Sequence, residues 1–147
     1  MKSSLLLALL LSAAAPAHSQ PAFNAYPFAA KANPLSSGDR ILARAFKNKT
    51  SGFMVKFSGT VVYKLPDDTD GSRHQRFLVE LESGQTLLIA HNLDLAPRVA
   101  HLKLKQTVTI FGEYIWNAKG GLVHKTHHDP DGSDPGGWIR HKGVTYQ

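Results

Sequence analysis

Cysteine is absent from the 147-residue chain. That excludes a disulfide framework, a thiolate nucleophile and a cysteine-held zinc site. A metal must then be held by His, Asp, Glu or carbonyl oxygen, and a covalent nucleophile must be Ser, Thr, Lys, Tyr or a carboxylate. Long apolar runs are scarce too. The one near the start, Leu5 to Ala15, falls short of the roughly 20 residues a membrane helix needs, so no stable membrane insertion is expected. Acidic residues are the minority charge: 11 Asp and Glu stand against 17 Lys and Arg, a net charge of +6. A pI near 9.7 favours polyanionic partners such as nucleic acid or anionic envelope polymers. Phosphate-cradling glycine loops, serine elbows and HExxH helices are missing as well.

What is present begins with "MKSSLLLALLLSAAAPAHSQ". Lys2, the apolar run and the small residues Ala17 and Ser19 read as a signal peptide over residues 1–19, which implies a periplasmic or secreted protein. Residues 20–38 are rich in Pro and Ala without a period and read as a linker or arm. Residues 39–147 read as one domain.

Within that domain, "SGDRILARAFKNKTSG" places Ile41, Leu42, Ala45 and Phe46 on one helical face, with Ser37 or Asp39 as the cap. From Phe53 the period changes to that of strands. "FMVKFSGTVVYKL", "HQRFLVELE", "TLLIAH", "KQTVTIFGEYIW" and "LVHKTHH" are separated by turn-rich clusters, and "GGWIRHKGVTYQ" closes the chain as a short strand or hairpin. Pro97 in "NLDLAPRVAHL" suggests a short helix between the third and fourth strands. The result is a mainly β chain with the element order of a small OB-like Greek-key barrel; an open sandwich or a meander barrel is the alternative.

"HKTHHDP" raises the question of chemistry. In an extended strand His124 and His128 share a face but lie roughly 13 Å apart, too far to share one ion. His127 and Asp129 are better spaced, and His91 is the expected third ligand of a zinc or manganese site. If "NAKG" turns the preceding hairpin, Glu113 falls opposite His124, Phe111 opposite Thr126 and Thr109 opposite His128. A carboxylate beside an imidazole orients it for acid–base work. A slip of one residue would instead pair Glu113 with Lys125 as an ordinary ion pair. Arg73, His74, His91, Asn92, Arg98 and Trp116 are the expected contacts to an anionic ligand. Against this, Asp94 and Arg98 have the spacing of a helical ion pair, and "DDTDGS" and "DPDGSD" read as turns rather than calcium loops.

"HNLDLAPR", "GEYIWNAKGG" and "HKTHHDP…GWIRHKG", with "LPDD", "GSRHQRF" and "SGQTLLIAHN", resemble a bacterial exported family, domain of unknown function 3465, from about Gly59 to Gln147. The resemblance brings a motif set and no activity. It also implies a histidine where this chain has Asp134 and an aromatic where it has Lys125, which weakens an all-histidine site and makes Lys125 peripheral.

Three readings follow. The first is a barrel that binds nucleic acid or another polyanion through a face rich in His and Arg. The second is a metal-dependent hydrolase of phosphodiesterase or nuclease type, in which His127, Asp129 and His91 hold the ion while Glu113 and His124 move protons. The third is a structural or interaction module of the envelope.

Overall fold

The computed structural model describes residues 34–147. The expected signal peptide and residues 20–33 of the expected arm lie outside them. Helix α1 (Ser37–Asn48) is capped by Ser36, whose hydroxyl accepts the Asp39 N–H at 3.1 Å. The helix thus starts two residues before the expected domain boundary. It ends where Lys49 turns left-handed, with φ 53°. Its buried stripe is Gly38, Asp39, Leu42 and Ala45. Ile41 and Phe46, expected on that stripe, flank it and are 48 % and 37 % exposed. Gly38 explains the narrow contact: a Cβ there would lie 2.3 Å from the Lys56 carbonyl oxygen, so only glycine allows this approach.

Seven strands follow: β1 (Phe53–Lys64), β2 (His74–Glu80), β3 (Thr86–Asn92), β4 (Thr107–Ile115), β5 (Leu122–His124), β6 (Trp138–His141) and β7 (Val144–Tyr146). Alternation drives them, as in β2 and β3, where every second residue is buried. The long β1 lends residues 53–60 to β4 and then crosses to β2, with a bulge between Val61 and Tyr63. Strand order β1-β2-β3-β5-β4, with β4 returning to β1, closes a five-stranded barrel, and β5 lies parallel to β3. This is the OB-like Greek key that the element order implied. The terminal hairpin β6–β7 adds to the free part of β4's edge.

The barrel interior holds Phe77, Leu87, Ile89, Ile110, Tyr114 and Val123, all at 0 % exposure. One end lies by α1, where Ala43 and Phe46 share a cavity with the β2–β3 and β4–β5 turns. The other end is covered by residues 93–106, which bury Ala96, Val99 and Leu102.

No helix forms in that connection; it is a chain of turns. After one helix-like bond, from the Ala96 N–H to the Asn92 carbonyl at 3.2 Å, Pro97 has no N–H to continue the ladder. Side chains from the barrel satisfy the backbone instead. The Gln75 carboxamide accepts the Val99 N–H at 2.9 Å and donates to the Val99 carbonyl at 3.2 Å. Gln75 therefore acts as a short strand partner for a segment that has none.

Replacing it tests this account. Gln75→Ala leaves two buried backbone groups of Val99 unpaired, at about 1–3 kcal/mol each. Urea unfolding of Gln75→Ala is expected to show a loss of about 2–6 kcal/mol with an unchanged slope. A loss near zero would show that the connection holds without the clamp.

Candidate functional site

Strand β4 sends Val108, Ile110 and Tyr114 inward and Thr109, Phe111, Glu113 and Ile115 outward. Its outward residues sit between neighbours on both sides. Glu113 lies between Met54 and His124, Phe111 between Lys56 and Trp138, and Thr109 between Ser58 and Arg140. Two strands share one edge of β4: β5 pairs with Glu113 to Ile115, and β6 with Thr109 to Phe111. Gly112 stands between the two. A Cβ there would lie 2.6 Å from the His124 carbonyl oxygen.

Of the two registers the sequence allows, the hairpin adopts Glu113 opposite His124. The further pairs, Phe111 with Thr126 and Thr109 with His128, do not form. Lys125 turns left-handed with φ 48°, β5 stops, and β6 takes those places. The same turn brings both expected partners to one carboxylate. Glu113 Oε2 lies 3.0 Å from His124 Nε2 and 3.2 Å from Lys125 Nζ, which also reaches Asp134 at 3.5 Å. The Lys125 bond with Glu113 raises the ammonium's pKa. His124 Nε2 is itself buried but not aligned for a hydrogen bond; its contact with Glu113 is one of proximity.

Residues 125–137 leave the sheet and enclose a cavity of about 340 Å³, lined by His124, Lys125, His127, Asp129 and Asp134. The loop is tied at its end, where the Gly137 N–H donates to the His127 carbonyl at 2.8 Å. His127 Nδ1 lies 2.7 Å from the His128 carbonyl and so carries the proton. The Asp129 carboxylate accepts the Ser133 and Asp134 N–H groups at 2.6 and 2.8 Å; the Asp134 bond leads in lowering its pKa.

His91 stands apart from this cavity, at 0 % exposure. Its Nε2 lies 3.0 Å from the Pro97 carbonyl, which can only accept, and its Nδ1 lies 2.8 Å from Thr126 Oγ1. Burial lowers its pKa, and nearby His127 and His74 add to that while backbone bonds oppose it. The neutral ring thus carries its proton on Nε2 and accepts from Thr126. Among the described residues, no group of three or more His, Asp or Glu side chains is arranged to hold a metal ion.

The expected anion contacts are dispersed. Arg73 is bound to Asp94 through its Nε at 3.1 Å and its N–H at 3.0 Å, which lowers the Asp94 pKa. Arg98 pairs with Asp67. The helical Asp94–Arg98 pair is therefore replaced by two pairs that pin the β1–β2 loop to the connection. His74 and Asn92 face each other at the ends of β2 and β3, and Asn92 Oδ1 accepts the Asp94 N–H at 2.8 Å. Trp116 lies at the other end of the barrel, donating its indole N–H to the Phe46 carbonyl at 3.1 Å with Lys49 over its ring.

A second aromatic group escaped the sequence reading. Phe111 and Trp138 lie side by side on the outer wall, ring centres 6.2 Å apart. Lys56 Nζ and the Arg140 guanidinium lie 5.6 and 5.1 Å from the Trp138 ring centre. The signal was in the alternation: Phe111 falls in the outward phase of "TVTIFGEYI", where a half-buried strand carries polar residues.

The model of the family described as "Protein of unknown function (DUF3465)" matches residues 25–147, and the chain belongs to that family. No curated protein matches it.

The state of His91 makes a testable statement. The folded chain resists protonating this ring below the ordinary value of 6.5, so the unfolded chain binds more protons in that window and stability rises with pH. Melting points measured from pH 7 to pH 5 are expected to fall, with a slope of up to about 1.4 kcal/mol per pH unit from this one group. His91→Gln is expected to flatten the curve. An equally steep curve in the variant would place the titration elsewhere.

Proposed function

We propose that this DUF3465 member is an exported binding module whose ligand is an anionic polymer, single-stranded nucleic acid first, held on the outer wall of β1, β4 and β6. One observation carries the reading: Phe111 and Trp138 form a paired aromatic surface with Lys56 and Arg140 against it. Aromatic faces accept bases whatever their sequence, and flanking cations meet the phosphates. Ser58 and Thr109, whose hydroxyls lie 2.9 Å apart, extend the wall with polar groups. The net charge of +6 favours the encounter.

This wall differs from the contact set read in the sequence. Arg73 and Arg98 are engaged by carboxylates, and Trp116 is turned toward α1. Lys56, Arg140, Phe111 and Trp138 take over those roles. Metal-assisted hydrolysis is the second reading, favoured by His127 and Asp129 lining one cavity beside the Glu113–His124 contact.

Fluorescence anisotropy with a labelled single-stranded oligonucleotide tests the proposal. Affinity is expected to fall with salt and to survive chelator. Exchanging Lys56 and Arg140 together for Gln is expected to reduce the logarithmic salt slope by about 1.4, since each neutralised phosphate contributes about 0.7. Trp138→Ala is expected to cost about 1–3 kcal/mol, one stacked base. Binding indifferent to salt and to all three substitutions would sink the idea, and cleavage abolished by chelator would favour the hydrolase.

A further inference from the structure

The barrel end opposite α1 carries a small pocket of about 150 Å³ between the end of β1, the start of β2 and the 93–106 connection. It differs in character from the outer wall. Four basic side chains line it, Lys64, Arg76, Arg98 and His101, against Asp67 in the lining and Asp68 beside Arg76. Its remaining lining includes Phe77, Val99 and Leu102, which are 0–4 % exposed. These apolar side chains form a buried floor beneath cations whose charged ends stand at the surface.

Size limits the ligand. At roughly 30 Å³ per water, the pocket has the volume of about five waters. That accommodates a tetrahedral oxyanion of five heavy atoms. The two arginines are held by neighbours in the β1–β2 loop. Arg76 is anchored by its Nε to the Pro66 carbonyl at 3.1 Å, and its guanidinium lies 3.7 Å from Asp68. Arg98 pairs with Asp67 at the surface, with side chains 50 % and 35 % exposed. Such an exposed pair is weak, so a doubly charged oxyanion can compete for the guanidinium and bind it in a bidentate way. His101 joins the lining in a left-handed conformation, φ 53°, which a residue with a Cβ keeps only when its surroundings hold it there.

We infer that this pocket binds a single phosphoryl group, free or as the end of a phosphomonoester, through Arg98, Arg76 and Lys64. The site shares no residue with the outer wall, so each stands or falls alone. Asp67 sets the balance: Arg98 turns from it to the guest, and one of the two pairs that pin the β1–β2 loop is given up.

The test uses the full-length chain and inorganic phosphate. Melting points are measured against phosphate concentration, with chloride at matched ionic strength as the reference. A saturable rise with phosphate alone is expected, with affinity weakened at least tenfold in Arg98→Gln and in Lys64→Gln and unchanged in Trp138→Ala. Lys64→Gln guards against misfolding, since this side chain is exposed at a strand end. A second arm compares oligonucleotides bearing a 5′-phosphate or a 5′-hydroxyl. A preference for the phosphate that is lost in Arg98→Gln identifies a nucleic-acid end as a source; competition by free phosphate alone identifies a soluble anion. No saturable shift, or one that persists in both pocket variants, overturns the inference. Loss of 5′-hydroxyl oligonucleotide binding in Trp138→Ala bears only on the outer wall.

Discussion

One edge of β4 has to serve two strands in succession, and the site depends on how the chain meets that demand. β5 occupies the upper part of the edge and β6 the lower, and thirteen residues between His124 and Trp138 must leave the sheet and return within the width of one residue, Gly112. Space decides how. Gly137 lies so close to the Lys125 and Phe111 carbonyls that a Cβ would overlap both, and Lys125 takes a left-handed turn to leave. The excursion makes the cavity; the return sets Trp138 beside Phe111. A bulkier residue at 112 or 137 would separate the two strands and dissolve both features together.

Both barrel ends are closed by unusual means. A helix before β1 sits by one, and a helix-free connection covers the other, with Gln75 and His91 supplying the bonds that a helix would have made for itself. Bonds of this kind join elements far apart in the chain. The connection is therefore only as stable as the strands that reach up to it, and it folds after them or with them.

Much of this was readable in the sequence, for identifiable reasons. Alternation is local, so the strands and their order emerged, and with them the OB-like barrel. The hairpin around "NAKG" left two registers open, Glu113 against His124 or against Lys125, and the fold adopts the first. What failed was non-local. Nothing within "NLDLAPRVAHL" announces that Gln75, more than twenty residues earlier, will satisfy Val99 in place of a helix. Nor does "HKTHHDP" reveal that Lys125 reverses its backbone, carrying His127 and His128 off the strand on which their spacing was reckoned. The misplacement of Trp116 has the same root: alternation ends at Ile115, and beyond it the neighbours are set by α1.

Only two tryptophans occur in the chain, and the fold separates their surroundings. Trp116 donates its indole N–H to the helix and lies under Lys49, whereas Trp138 rests between cations on the open wall. The protein consequently carries two intrinsic optical reporters with different subjects. Emission from Trp116 follows the docking of α1, and emission from Trp138 follows whatever reaches the wall. With either indole silenced by phenylalanine, the native fluorescence becomes a one-channel record of helix attachment or of surface occupancy, free of any added dye.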